Sequence, residues 1–172
     1  MLLPCITKSQ NDSLKKTKRV QNFIGGSSGL LIGSAFNEFP AGLTFGIQHI
    51  TGWKHACIKF NANFTPSENY GLVQTYFLSA GFTTKMENII SWHLCFGYGG
   101  EVYKDGSDNY TTGDAVGPIS TGVYGRFKKN SKHLIGFESY IYVESNPRIA
   151  SHGYGYSPSL PIGILLSYNY KF

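Results

Sequence analysis

The sequence predicts an all-β fold, an antiparallel up-and-down transmembrane β-barrel of about eight strands. Apolar and polar residues alternate over stretches of about ten residues, the length of a tilted strand that crosses a membrane. Only 15% of the 172 residues are charged, against roughly a quarter in soluble domains, and the mean hydropathy is −0.16. A 15% aromatic content and 21 glycines are typical of short strands joined by tight turns.

The chain begins with two segments that we place outside the barrel. Residues 1–10 are interpreted as the remnant of a secretion signal, because an apolar start precedes a polar stretch. Signals that end just before a Gln, as at Gln10, resemble those of Bacteroidota. Residues 11–21 are polar and basic and are predicted to form a flexible periplasmic arm. The barrel is predicted to occupy residues 22–172.

Alternation divides the barrel region into eight segments separated by turn-forming residues. The predicted strands are about 23–36, 41–50, 53–64, 70–84, 89–103, 118–128, 133–143 and 162–172. A turn is predicted at 51–52, a loop at 65–69, and short turns at 85–88 and 129–132. The two longest connections, 104–117 and 144–161, follow the fifth and seventh strands and therefore lie at the same end. Outer-membrane barrels have long outer loops and short periplasmic turns, so these two connections are predicted to lie outside the cell.

Charged side chains occur on the polar faces of these strands, which would line the interior. We assign six residues to an interior polar network: Lys59, His93, Glu101, Arg126, Lys128 and Glu138. Eight strands enclose a space that side chains alone can fill, and buried charges need partners. Charges of both signs therefore predict a plugged, salt-bridged interior. We interpret His93, placed beside Glu101, as a member of this network and not as a general base.

The last strand has one face that is entirely apolar or aromatic and that ends with Tyr168, Tyr170 and Phe172. Aromatic residues suit the level where lipid meets water. This pattern resembles the closing strand of bacterial outer-membrane β-barrels. In that family the C-terminal strand and its terminal Phe form the signal that the barrel-assembly machinery reads, and the resemblance implies that role for these three residues.

As a whole, residues 22–172 resemble small outer-membrane proteins of the OmpA transmembrane-domain and OmpX type. The resemblance implies a bacterial outer-membrane location, contact with outer-membrane lipid and assembly by the barrel-assembly machinery. The scaffold hosts structural, adhesive and enzymatic members, so the fold alone implies no one function. We interpret the protein as non-enzymatic, a structural or accessory subunit of a larger outer-membrane complex for secretion, uptake or conjugation.

Two other functions remain open. One is an adhesin or ligand-binding barrel that acts through its outer loops, with Tyr154 and Tyr156 as candidate contacts. The other is a lipid A-modifying enzyme, for which Ser151 and His152 would have to work as a nucleophile and its base. These two residues are adjacent on an irregular loop, and the deacylase-type His-x-Ser pattern is absent. No catalytic residue is therefore assigned.

A soluble lipocalin-like barrel is the alternative structure, with apolar side chains inside and charges outside.

The cysteines and the basic residues bear on cofactors and partners. The three cysteines, Cys5, Cys57 and Cys95, are odd in number and widely spaced, which gives no disulfide framework and no metal-binding pair. Cys57 and Cys95 could still meet inside a barrel. The basic residues do not interleave with stacking aromatics, so nucleic acid is not an expected partner. No metal or cofactor is predicted.

Overall fold

The structure is a computed structural model that describes residues 20–33, 41–67, 71–104, 110–129, 131–145 and 160–172. Eight antiparallel strands each pair with their neighbours in sequence, and the last pairs with the first to close a barrel. The strands are β1 (Gln21–Ile32), β2 (Ala41–Trp53), β3 (Ala56–Ser67), β4 (Gly71–Thr83), β5 (Ile90–Lys104), β6 (Tyr110–Gly125), β7 (His133–Ser145) and β8 (Ile162–Lys171). The predicted fold class is confirmed. Within the described ranges, no helix is long and apolar enough to cross a membrane.

The apolar face of the strands points out of the barrel. In β8, Ile164 and Leu166 are exposed, whereas the intervening Leu165 is fully buried and Ser167 is 2% exposed. The same outward alternation places large apolar side chains on the exterior of every strand. A soluble barrel would bury these side chains, so the lipocalin-like alternative is wrong.

Side chains fill the interior in layers. One apolar layer comprises Phe23, Ile50, Met86, Tyr124 and Leu134. A second, toward the opposite end, comprises Leu31, Phe77, Tyr140, Tyr142 and Leu165. In this second layer the Phe77 ring centroid lies 5.0 Å from that of Tyr142 and 5.6 Å from that of Tyr140. Polar side chains lie between the two layers, so the interior is a packed core.

The sixth strand was predicted at 118–128, but it spans Tyr110–Gly125. Most of the predicted 104–117 loop is therefore strand, and only residues 105–109 separate β5 from β6. The register of β6 against β7 shifts between Val116 and Ile119, where Gly117 has a φ of 65°. This irregularity, at Gly117-Pro118, divides β6 into two parts. The part after it alternates apolar and polar residues, and the part before it, 110–116, does not.

Three further boundaries differ from the sequence prediction. The first strand was predicted at 23–36 and spans Gln21–Ile32. Residues 51–52 belong to β2, and the turn lies at 54–55, where Lys54 has a φ of 51°. Pro66 lies within β3, beyond Phe64, which is the last residue of β3 that pairs with β2. Its missing N–H is tolerated there because the strand no longer pairs with β2.

Aromatic rings pack over glycines on neighbouring strands. Tyr140 lies opposite Gly163 and Tyr124 lies opposite Gly136 in the strand registers. A Cβ atom added to either glycine would overlap the facing tyrosine ring. Glycine is therefore required at both positions, because the narrow interior has no other space for these rings.

We expect Gly163→Ala to destabilise the barrel by about 1–3 kcal/mol, since the new methyl group must displace the buried Tyr140 ring. The measurement is the midpoint of urea unfolding in detergent micelles. Gly125→Ala is the matched control, because a Cβ there meets no atom within 4 Å. Equal unfolding midpoints for the two variants would show that the ring packing does not limit stability.

Candidate functional site

The two ends of the barrel differ. Connections 54–55, 84–89 and 126–132 lie at one end, which we call the turn end. The opposite end, the outer end, is joined by 33–40, 68–70, 105–109 and 146–161. The longest connection, 146–161, is therefore at the outer end. Because outer-membrane barrels have short periplasmic turns and longer extracellular loops, we assign the turn end to the periplasm.

An ion pair between Lys59 and Glu138 lies at the centre of the polar interior, with both side chains at most 3% exposed. The Gln48 amide donates a hydrogen bond to Glu138 Oε1 at 3.0 Å, and the Tyr124 hydroxyl donates to the same oxygen at 2.8 Å. Gln48 Nε2 also donates to Asn169 Oδ1 at 2.8 Å. Glu138 thus collects donors from β2, β3 and β6, which ties distant strands together across the barrel.

His93 and Glu101 are both buried at 1% exposure, but they are not neighbours. They lie eight positions apart on β5, or about 26 Å at roughly 3.3 Å per residue. The prediction that His93 lies beside Glu101 is therefore wrong. The His93 ring instead stacks on Tyr124, with centroids 5.1 Å apart, and neither ring nitrogen has a hydrogen-bond partner among the described residues.

Cys57 and Cys95 meet inside the barrel, as the sequence allowed. Their Sγ atoms lie 3.2 Å apart, and both thiols are free and buried. The two residues flank Gly81, which pairs with Cys57 on one side and Cys95 on the other. Gly81 has no side chain between them, and a Cβ atom there would overlap the backbone of Leu94 and Cys95 on β5.

Arg126 and Lys128 lie beyond β6, at the turn end. Arg126 is 7% exposed and donates to the backbone oxygens of Ser131 and Met86. Lys128 is exposed, so its assignment to the interior is wrong. The reason is the end of β6: the strand finishes at Gly125, three residues earlier than the alternation predicted, and Lys128 belongs to the following turn.

The three aromatic residues of the proposed assembly signal lie on the outer face of the barrel. Tyr168 is 50%, Tyr170 38% and Phe172 67% exposed, and the Tyr168 hydroxyl lies 2.5 Å from His133 Nδ1. Their role in assembly stays a prediction. The candidate loop contacts Tyr154 and Tyr156, like Ser151 and His152, lie outside the described residues.

Sequence reasoning missed the uncharged members of the interior network, namely Gln48, Asn61, Tyr124 and Asn169. Charge alone does not identify them, because two of the three donors to Glu138, Gln48 and Tyr124, are neutral. Their positions could have identified them, because each lies on the inward-facing side of an alternating strand. The described residues contain no group of three or more His, Cys, Asp or Glu side chains that could hold a metal ion.

A closed eight-stranded barrel with an apolar exterior and a packed polar interior defines the class of small β-barrels that span the bacterial outer membrane. The chain is similar in structure to Neisserial surface protein A, with a TM-score of 0.56, 9% identity, and coverage of 88% of this chain and 97% of the other. It is also similar to Ail, the attachment invasion locus protein of Yersinia pestis, with a TM-score of 0.54 and 11% identity over 89% of this chain and 97% of Ail.

A second structure of Ail, in complex with the heparin analogue sucrose octasulfate, matches with a TM-score of 0.54, 10% identity and the same coverage. No family model and no curated protein matches the sequence. At these identities the likeness concerns the fold. The protein therefore shares the fold of these outer-membrane barrels.

We expect Lys59→Met to destabilise the barrel by about 3–5 kcal/mol, because it leaves the Glu138 carboxylate buried without its cation. The double variant Lys59→Met with Glu138→Leu should lose less, since no unpaired charge remains. Urea unfolding of both variants measures the difference. The exposed Lys85→Met should stay within about 0.5 kcal/mol of the parent. A double variant less stable than the single one would contradict the buried-charge argument.

We expect Cys57 and Cys95 to resist maleimide in the folded barrel and to react after unfolding, because both thiols are at most 4% exposed. The experiment uses a Cys5→Ser background, so that only these two thiols can react, and mass spectrometry counts the adducts. Modification of either thiol in folded protein would show that the interior is open to small molecules.

Proposed function

We propose that the protein is a non-enzymatic accessory subunit that binds a larger outer-membrane assembly through its outer end. The observation that carries this proposal is the packed interior. Both apolar layers and the polar layer between them fill the barrel over the described residues. A barrel filled in this way favours a role at its surfaces over transport through its centre.

The outer end offers such a surface in the hairpin formed by β5 and β6. These strands have 15 and 16 residues, whereas β8 has 10. About 9–11 residues are enough for a tilted strand to cross the membrane. The pairing of the hairpin continues to Lys104 opposite Tyr110. The excess length supports a hairpin that projects beyond the bilayer.

The charge of the outer end indicates what the hairpin would bind. Six acidic residues lie in the outer-end connections and the strand ends beside them, namely Glu38, Glu68, Asp105, Asp108, Asp114 and Glu144. Two basic residues, Lys104 and Arg148, accompany them. This excess of acidic residues in the sequence of the outer-end connections favours a basic protein partner, because complementary charge steers association and selects partners.

An adhesin is the second candidate function. The likeness to Ail, whose name refers to attachment and invasion, favours it. The acidic outer end argues against the chemistry in the other Ail structure, where the bound molecule is a sulfated heparin analogue. An adhesive role for this chain would therefore require a ligand other than a polyanion.

The test is native electrophoresis of outer membranes solubilised in mild detergent, followed by identification of the partner. We expect the parent protein to migrate in a complex and Asp105→Asn with Asp108→Asn, at the hairpin connection, to release it as a monomer. Loss of two carboxylates removes much of the attraction to a basic partner. Glu38→Gln with Glu68→Gln is the matched control, with the same charge change at the same end.

Retention of the complex by the control and its loss in the hairpin variant would support the proposal. A parent protein that is monomeric in mild detergent would contradict the accessory role. A complex unaffected by the hairpin substitutions would contradict the hairpin as the contact. Heat-shifted gel mobility of each variant checks that the barrel has folded.

A further inference from the structure

A basic pocket lies at the turn end, at the opposite side of the membrane from the hairpin. Its volume is about 360 Å³. Four cationic side chains line it, Arg126, Lys129, Lys132 and Lys171, together with one carboxylate, Glu87. The positive side chains outnumber the negative one by four to one, so the pocket favours an anionic ligand.

Arg126 is held rigidly at this pocket. Its Nη1 donates to the Ser131 carbonyl at 2.6 Å, and its Nη2 donates to the Met86 carbonyl at 2.5 Å and to Gln21 Oε1 at 3.3 Å. The guanidinium carbon lies 5.2 Å from the centroid of the Phe23 ring. These neutral partners position the guanidinium without neutralising its charge.

One nitrogen of this buried guanidinium makes no hydrogen bond. The Arg126 side chain is 93% buried, since its exposure is 7%, and its Nε has no hydrogen-bond partner among the described residues. A buried donor without an acceptor is costly, so an acceptor supplied by a ligand would be stabilising. Arg126 therefore adds a fixed positive charge to those of the lysines.

The pocket adjoins the lipid-facing surface. Phe172 lines it and is 67% exposed. The Lys132 Nζ lies 5.5 Å from the centroid of the Tyr170 ring, on the outer face of β8. Aromatic side chains of this kind mark the interface between lipid and water. The pocket thus lies at the depth of the lipid headgroups in the leaflet that faces the turn end.

We propose that this pocket binds the phosphate group of an anionic phospholipid from the periplasmic leaflet. Arg126 supplies a fixed guanidinium charge in the lining of the pocket, and Lys129 and Lys132 supply exposed ammonium groups. A phosphate carries several acceptor oxygens and a negative charge, which matches both kinds of donor. The neighbouring Tyr170 and Phe172 contact the glycerol and acyl region of the same lipid.

The test is native mass spectrometry of the full chain folded in neutral detergent and titrated with phosphatidylglycerol or phosphatidylcholine. We expect one phosphatidylglycerol to bind more tightly than phosphatidylcholine. Lys129→Gln with Lys132→Gln should weaken that binding by about 5-fold per lysine. Lys54→Gln with Lys85→Gln is the matched control, because it removes two charges from the same end outside the pocket and should leave the affinity unchanged.

Equal weakening in the two double variants would overturn the pocket and indicate general surface charge. No preference for phosphatidylglycerol over phosphatidylcholine would also overturn the proposal. Inorganic phosphate is titrated separately with ³¹P NMR. If it binds as tightly as phosphatidylglycerol and displaces it, the ligand is a free phosphate and the assignment to lipid is wrong.

Discussion

Closure of the sheet by β1 and β8 is the constraint on which the rest of the structure depends. Backbone N–H and C=O groups in hydrocarbon have no water to bind, and each unsatisfied group costs several kcal/mol. The pairing of β1 with β8 runs from Phe23 opposite Lys171 to Ile32 opposite Ile162. It satisfies the backbone hydrogen-bonding groups of two strands that would otherwise lie at the edges of an open sheet. Closure also fixes which side chains face lipid, because each strand has one face outside and one inside.

A closed barrel of eight strands leaves little room inside, and the interior is built around that limit. Glycines admit the rings of Tyr124 and Tyr140, and Gly81 has no side chain between the two thiols. Glu138 is tolerated because Lys59 neutralises it and neutral donors occupy its other lone pairs. The same filling that stabilises the described barrel supports the proposal that the protein acts through its two ends.

The alternation in the sequence was enough to predict the barrel, its outward apolar face and most strands, because lipid imposes a period of two on both faces. Alternation did not predict residues 110–117 as strand, because β6 continues there beyond its apolar region, where contact with lipid no longer requires alternate apolar side chains. It placed Lys128 inside because alternation does not show where a strand stops. It missed Gln48 and Asn169 because their contact joins β2 to β8 over Gly25 of β1, and β8 lies beside β1 only after the barrel closes.

The residues at the two ends differ in charge. The sequence of the outer-end connections has an excess of acidic residues, whereas Lys54, Lys85, Lys128 and the cations of the basic pocket surround a single described acidic residue, Glu87, at the turn end. The hydrocarbon core separates the ends by about 30 Å, and the Debye length at physiological salt is about 8 Å. Charges at one end therefore act little on ligands at the other. Any coupling between the hairpin and the basic pocket would have to pass through the packed interior, where Glu138 joins β7 to β2, β3 and β6.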